Sequence, residues 1–470
     1  MKETALFRLI WGLSGCLLLL YVVFLPIWEG FDETPNFCYV QFLVEQKKIP
    51  KTPTNGETDY CSREVETTLE RLPLNQSLVH IGTLERYHYP QYQAFWSQHS
   101  DALVAPIPNT AQLRTTTTQR LDIWQGQHPP IPYAVLGLAY IVGYSQDFYV
   151  RFLLVRLFGV LIVWLGAALV WKALQLTIKE SGARLIGFAA LVLHPMFFVH
   201  FGRVTNESVT FFLFAACWLM MMRIIQQPRI SWKWAMAFGL TYGAGILSKV
   251  FFLSALPAVI VLFALDFWQK RAAIDWKNAF WSYLIIAACI ALPAAPWYYY
   301  QHVGFVTPGV GFSLQESLTF PLLIHKILYM PWLAYGVEIV KNFIGFFGWS
   351  FLHPGHWYYI VHSLFFIAVL FGLVTLRKTE VRIMVYASLF PLCMLLGMSY
   401  YNLRFNYLSI TGGWYFFSLT PMLALLVSLA AQRLVQSKYQ LLVLYGIMIF
   451  HGVSMLAIMM FTLAPVYYAI

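Results

Sequence analysis

The 470 residues are 59% hydrophobic and only 11% charged, with a mean hydropathy of +0.62. Soluble domains carry about a quarter charged residues, so a string of water-soluble domains is excluded. The net charge of +10 does not indicate nucleic acid, because the basic residues form short clusters between apolar runs and no single patch. A helix needs roughly 20 apolar residues to cross the hydrocarbon core. The sequence therefore predicts an all-α polytopic membrane protein with a soluble insert.

In chain order, Lys2 and Arg8 precede an apolar stretch that ends at Pro26. No small-residue cleavage site follows, so this is read as an uncleaved first span and not a signal peptide. Spans are expected near 8–28, 150–172, 183–200, 205–225, 232–248, 250–267, 279–298, 356–376, 381–400, 414–432 and 440–462, about eleven in all. They divide the chain into an N-terminal module over 1–298, which includes a large first outer loop at 29–149, a second outer loop at 299–355, and closing helices over 356–470. The apolar run 131–144 is too short to span and is expected at the interface.

Sixteen Lys and Arg residues, from Lys2 and Arg8 to Arg433 and Lys438, fall in alternate connections. The short connections opposite hold only Arg203, Lys249 and Arg404. By the positive-inside rule the N-terminus is cytoplasmic, and the loops at 29–149 and 299–355 are extracytoplasmic. Cys16, Cys217, Cys289 and Cys393 lie in apolar runs. Cys38 and Cys61 share the first outer loop, where an oxidising compartment favours a disulfide.

Two elements of the outer face could carry chemistry. Asp32-Glu33 follows the first span, where a carboxylate can act as general base or ligate a divalent cation, or simply open a solvated helix. His128-Pro129-Pro130 closes the first loop and opens the short apolar run, as a helix-start signal or as part of a site. The outer face also gathers Arg156, Arg203, Lys249 and Arg404, which either snorkel to the interface or bind an anionic ligand.

The set resembles the GT-C glycosyltransferases, in particular the protein O-mannosyltransferase and aminoarabinose transferase group. The resemblance is carried by Asp32-Glu33, His128-Pro129-Pro130, the segment around Arg156, Pro195 through Asn206-Glu207, Gly245 through Lys249 with Pro257, and Gly412 through Pro421. Asn36, Glu207 and Trp414 depart from the residues usual at those places, and the first two elements lie farther apart than is common.

The resemblance implies a GT-C fold and transfer of a sugar from a polyprenyl-phosphate carrier to an extracytoplasmic acceptor (protein, lipid or glycan) with inversion. It also implies residence in a bacterial or archaeal plasma membrane. Asp32, with Glu33 beside it, would be the catalytic base. Arg156, Lys249, His128, Arg203 and Arg404 would bind the donor phosphate, because cationic groups stabilise a phosphate leaving group by charge-assisted hydrogen bonds. No firm cofactor is implied. A divalent cation such as Mg or Mn would fall to Glu207 with Asp32. A secondary transporter or lipid flippase is the alternative, although it does not account for a long polar loop opening on Asp-Glu.

Overall fold

A computed structural model describes residues 3–51, 58–71, 107–227, 229–271, 275–304, 319–347, 353–405 and 412–467. Among these, the side chains at 118, 119, 300–304, 379, 404, 405, 466 and 467 are not described. Helix α1 (Glu3–Phe24) leads through a tight turn into α2 (Glu33–Gln46). Next come β1 (Tyr60–Ser62), α3 (Arg63–Leu69), α4 (Ala111–Thr115) and β2 (Thr117–Asp122). The two strands pair antiparallel, Tyr60 opposite Asp122 and Ser62 opposite Thr117. This small ribbon is an addition to the all-helical expectation.

A single 3-10 turn over Trp124–Gln127 then delivers the chain to α5 (Ile131–Val142), with Pro130 as N-cap and Pro132 in its first turn. Proline suits that position because the first N–H groups of a helix have no partner within it. The 12-residue α5 does not span; it packs on α2, and Leu138, Ile141 and Val142 stay exposed.

The bundle follows: α6 (Phe148–Thr177), α7 (Ser181–Val192), α8 (Pro195–Phe201), α9 (Glu207–Gln226), α10 (Trp232–Ile246), α11 (Val250–Lys270) and α12 (Trp276–Gly304). Two short helices, α13 (Phe320–Tyr329) and α14 (Trp332–Ile344), precede α15 (His356–Val374), α16 (Lys378–Phe405), α17 (Thr420–Leu434) and α18 (Gln440–Ile458). Among the described residues nine helices are long and apolar enough to cross a membrane, or ten if α7 and α8, bent by 51°, form one span.

The eleventh expected span, 232–248, is α10, whose 15 residues reach only about 22 Å at 1.5 Å per residue. It still recrosses the bundle. Lys249 at the head of α11 meets Glu207 at the head of α9. At the other end, Lys270 of α11 donates to the Gln227 carbonyl at the tail of α9 (3.0 Å). α9 and α11 are therefore parallel, and α10 returns between their opposite ends.

The two faces of the bundle differ chemically. On the face of the basic loops, acidic side chains find cations: Glu3 with Arg184 (2.6 Å), Asp266 with Lys270 (2.9 Å), and Glu380 with Arg433 (3.0 Å). On the opposite face α2, α5 and the ribbon form a cap with its own apolar core around Trp28, Phe37, Tyr133, Phe148 and Phe152. Buried ion pairs Arg151–Glu64 and Arg114–Glu45 tie that cap to the head of α6 and to α4.

Cys38 of α2 is disulfide-bonded to Cys61 of β1. Closing a loop of this length contributes roughly 3 kcal/mol. Replacing both cysteines with serine is expected to lower thermal stability in detergent accordingly. Alkylation of both thiols in unreduced native protein would contradict the bond.

Candidate active site

The turn between α1 and α2 is the starting point. Trp28 and Asp32 both take positive φ, 68° and 56°, a region that costs a bulky residue about 1–3 kcal/mol unless the surroundings hold it. Trp28 is held by packing on Phe37 and Phe152 and by donating its indole N–H to Thr68 (2.9 Å). Gly30 lies so close to Arg203 that an added Cβ would sit 2.7 Å from the arginine Cβ. The turn is thus fixed from both sides, and Asp32 is the left-handed N-cap that precedes Glu33, the first residue of α2.

Glu33 is fully buried and faces α6. Arg156 grips it with two parallel bonds, Nε to Oε1 and Nη2 to Oε2, both 2.6 Å. The remaining Arg156 donors go to the carbonyls of Val22 (3.2 Å), Leu25 (2.7 Å) and Pro26 (2.8 Å). A guanidinium has five N–H groups, so Arg156 has none left for a phosphate. Glu33 in turn accepts the Val204 N–H (2.8 Å). Structure therefore moves both residues from the roles expected of them: they hold the turn.

Asp32 faces the other way. Its Oδ2 accepts from Gln125 (3.3 Å), while its buried Oδ1 has no hydrogen-bond partner. Burial raises the carboxyl to about 6, against the opposing pull of Arg203 and Lys249. Asn36, one helical turn on, donates to the Asp32 carbonyl (2.6 Å).

Two cations share this site. Arg203 uses three of its five N–H groups, on the His200 carbonyl, the His200 ring and the Phe31 carbonyl, and keeps two. Lys249, the N-cap of α11, is 7% exposed and contacts Glu207 and Asn206 Oδ1. The rings of Phe251 and Tyr415 lie 4.9 Å from its ammonium. His128 lies near Lys249, and burial together with that cation pushes its imidazole down to about 3. It is a neutral hydrogen-bonding group here and not an ionic partner. Arg404 falls in the last turn of α16, and its side chain lies outside the described residues.

Glu207 accepts from Ser418 (3.1 Å) on one oxygen and meets the Lys249 ammonium on the other. Asp32 has Arg203 and Lys249 as its charged neighbours. A divalent ion between these carboxylates would have to displace Lys249, so the donor set does not fit one. Among the described residues no three His, Cys, Asp or Glu side chains gather as a cation site.

The chain's stretch 127–300 matches the family model described as dolichyl-phosphate-mannose-protein mannosyltransferase. It contains His128, Arg156, Arg203, Glu207 and Lys249. No curated protein sequence matches the chain. Among solved structures, ArnT from Cupriavidus metallidurans bound to undecaprenyl phosphate is 11% identical. That match covers 97% of this chain and 72% of the other, with a TM-score of 0.50. The chain has the GT-C fold of membrane glycosyltransferases. The oligosaccharyltransferase of Archaeoglobus fulgidus, tethered with an acceptor peptide, aligns more loosely at 10% identity, 97% and 54% coverage and a TM-score of 0.37.

Within this GT-C fold the site includes two residues that sequence reasoning did not select, Gln125 and Tyr133, which join Asn206 of the expected Asn206-Glu207 element to Asp32. Gln125 touches Asp32, Tyr133 touches Gln125 (3.3 Å), and Asn206 donates to the Tyr133 hydroxyl (2.8 Å). Gln125 carried no signal beyond its nearness to His128. Tyr133 reads as one more interfacial aromatic. Trp414, where an arginine was expected, is buried between the rings of Phe31 and Phe346.

Removing one partner of a buried pair costs about 3–5 kcal/mol. Arg156→Met is therefore expected to destabilise the protein by that order, read as a lower unfolding temperature in detergent. Unchanged thermal stability would contradict the structural role of the Arg156–Glu33 pair.

Proposed function

We propose that the protein transfers a sugar from a polyprenyl-phosphate carrier to an acceptor on the extracytoplasmic side, with inversion. The observation that carries this reading is the Asp32 carboxylate, with one buried oxygen unpartnered and the cations Arg203 and Lys249 as its charged neighbours. Asp32 takes the proton of the acceptor hydroxyl as the acceptor oxygen bonds to the anomeric carbon. The bond from that carbon to the carrier phosphate breaks on the far side of the sugar. The leaving phosphate gains negative charge, which Lys249 and the two uncommitted Arg203 N–H groups offset by charge-assisted hydrogen bonds. His128 contributes a neutral donor beside them.

The surface also supports a carrier with a long apolar chain. An apolar groove of about 840 Å3 runs between α14 and the head of α15, with Trp332, Leu333, Val337 and Val340 along its wall. Lys341 and His353 stand at its edge. From His353 a file of rings, Phe346, Trp414 and Phe31, leads to the residue before Asp32. The basic loops on the other face of the bundle support an extracytoplasmic site.

A general base contributes about 100- to 10,000-fold. Asp32→Asn is expected to reduce transfer from undecaprenyl-phosphate-mannose, or another carrier sugar that the wild type accepts, by at least about 100-fold, with undecaprenyl phosphate binding retained. Near-normal turnover would remove Asp32 from the mechanism. Because its pKa is raised, the base form dominates above about pH 6, so wild-type kcat should fall as the pH drops through that value. Orientation is read separately. A cysteine at Gln112 should label with an impermeant maleimide added to whole cells and one at Asp275 should not; the reverse pattern would put the site in the cytoplasm.

A further inference from the structure

Between the base and the leaving-group cation runs an unbroken line of hydrogen bonds. Lys249 Nζ donates to Asn206 Oδ1 (3.2 Å), and Asn206 Nδ2 donates to the Tyr133 hydroxyl (2.8 Å). Tyr133 donates to Gln125 Oε1 (3.3 Å), and Gln125 Nε2 donates to Asp32 Oδ2 (3.3 Å). The line joins five elements, from the head of α11 through α9, α5 and the 3-10 turn to the start of α2.

The polarity of this line is dictated by its ends. An ammonium can only donate, so Asn206 must turn its oxygen to Lys249 and its NH2 to Tyr133. A phenol has one proton, and having accepted from Asn206 it sends that proton to Gln125. Gln125 must then present its NH2 to Asp32, whose carboxylate can only accept. Neither amide can flip without setting like against like somewhere along the line. Tyr133 itself cannot swing, since its ring is buried and stacked on Tyr39 at 3.8 Å. The amides make the line unsuitable for passing protons.

We infer that Gln125 and Tyr133 are positioning residues: they clamp Asp32 Oδ2 so that Oδ1 alone faces the acceptor, and they fix the base relative to Lys249. This inference rests on Asp32 being the base. Its consequence is geometric coupling. In a single displacement the proton leaves on one side of the sugar while the phosphate leaves on the other. A clamp spanning both ends keeps them in register without touching substrate.

The test uses substitutions that leave the charged groups in place. Tyr133→Phe keeps the stacked ring and removes the one hydroxyl that both accepts and donates. Gln125→Leu removes the contact to Asp32 outright. The full-length protein in nanodiscs is titrated by infrared spectroscopy, following the protonated-carboxyl band as wild type minus Asp32→Asn. Among the described residues, the groups facing Asp32 are the Arg203 and Lys249 cations and the hydroxyls of Tyr133 and Tyr415, with Gln125 the one neutral donor to its carboxylate. A hydrogen bond to the carboxylate favours its charged form, so losing it should move the titration upward from about 6.

Turnover with undecaprenyl-phosphate-mannose, or the carrier sugar found to be accepted, should fall about 10- to 100-fold in kcat with KM nearly unchanged. The acid limb of the rate profile should move up with the titration. Gln125→Glu guards against misfolding of the leucine variant and should move the titration further, because it adds a like charge. An unmoved titration and normal kcat in Tyr133→Phe and Gln125→Leu, with Asp32→Asn inactive, would overturn the clamp alone. An active Asp32→Asn would overturn the base assignment, whatever the titration shows.

Discussion

Arg156 stands two turns inside a membrane helix and gives every N–H it has to one short stretch of chain. Three carbonyls at the end of α1 and both oxygens of Glu33 receive them. A buried charge tolerates this only when its partner is close and its donors are all met. The constraint then propagates. The chain must turn sharply enough to bring residues 22–26 and 33 around one guanidinium, which places Trp28 and Asp32 in the left-handed region. Glu33 is buried against α6, while Asp32, the left-handed residue before it, turns instead to Gln125 with Arg203 and Lys249 as its charged neighbours. One carboxylate is fully paired, and the next keeps an oxygen without a partner.

The cations of this face form a graded series. Arg156 is saturated. Arg203 is anchored through three bonds and holds two in reserve. Lys249 rests on Glu207 and Asn206. Desolvation governs the whole set, since each group is buried and none can rely on water. It also explains the raised Asp32 carboxyl and the neutral His128. A carboxyl poised near 6 is a better proton acceptor than one at the ordinary value and is still mostly ionised at neutral pH.

Much of this arrangement was legible in the chain. Charge in the connecting loops placed Asp32, Arg156, Arg203, Glu207 and Lys249 on one face, because topology alternates and the basic clusters mark the other. Cys38 and Cys61 stood out as the cysteines beyond the apolar runs, and the structure joins them. The role of Arg156 was not legible. A cation at the mouth of a bundle looks the same in sequence whether it meets a ligand or a buried glutamate. Gln125 and Tyr133 were invisible for a related reason: an amide and a phenol are common, and only their relative placement makes them a clamp. The β1–β2 ribbon escaped because strands of three and six residues carry too little alternation to register.

The shortness of α10 has a consequence for the lipid around the protein. Its roughly 22 Å of helix stands against a hydrocarbon core of about 30 Å, and Trp232, Met236 and Leu240 turn outward from it. Lipids beside a short span thin to match it, at a fraction of a kcal/mol per ångström. The helix ends next to Lys249, so the dimple in the bilayer lies beside the polar pocket. Headgroups and water would sink toward that cation there, and the pocket would lie nearer the membrane surface than the thickness of the surrounding bilayer suggests.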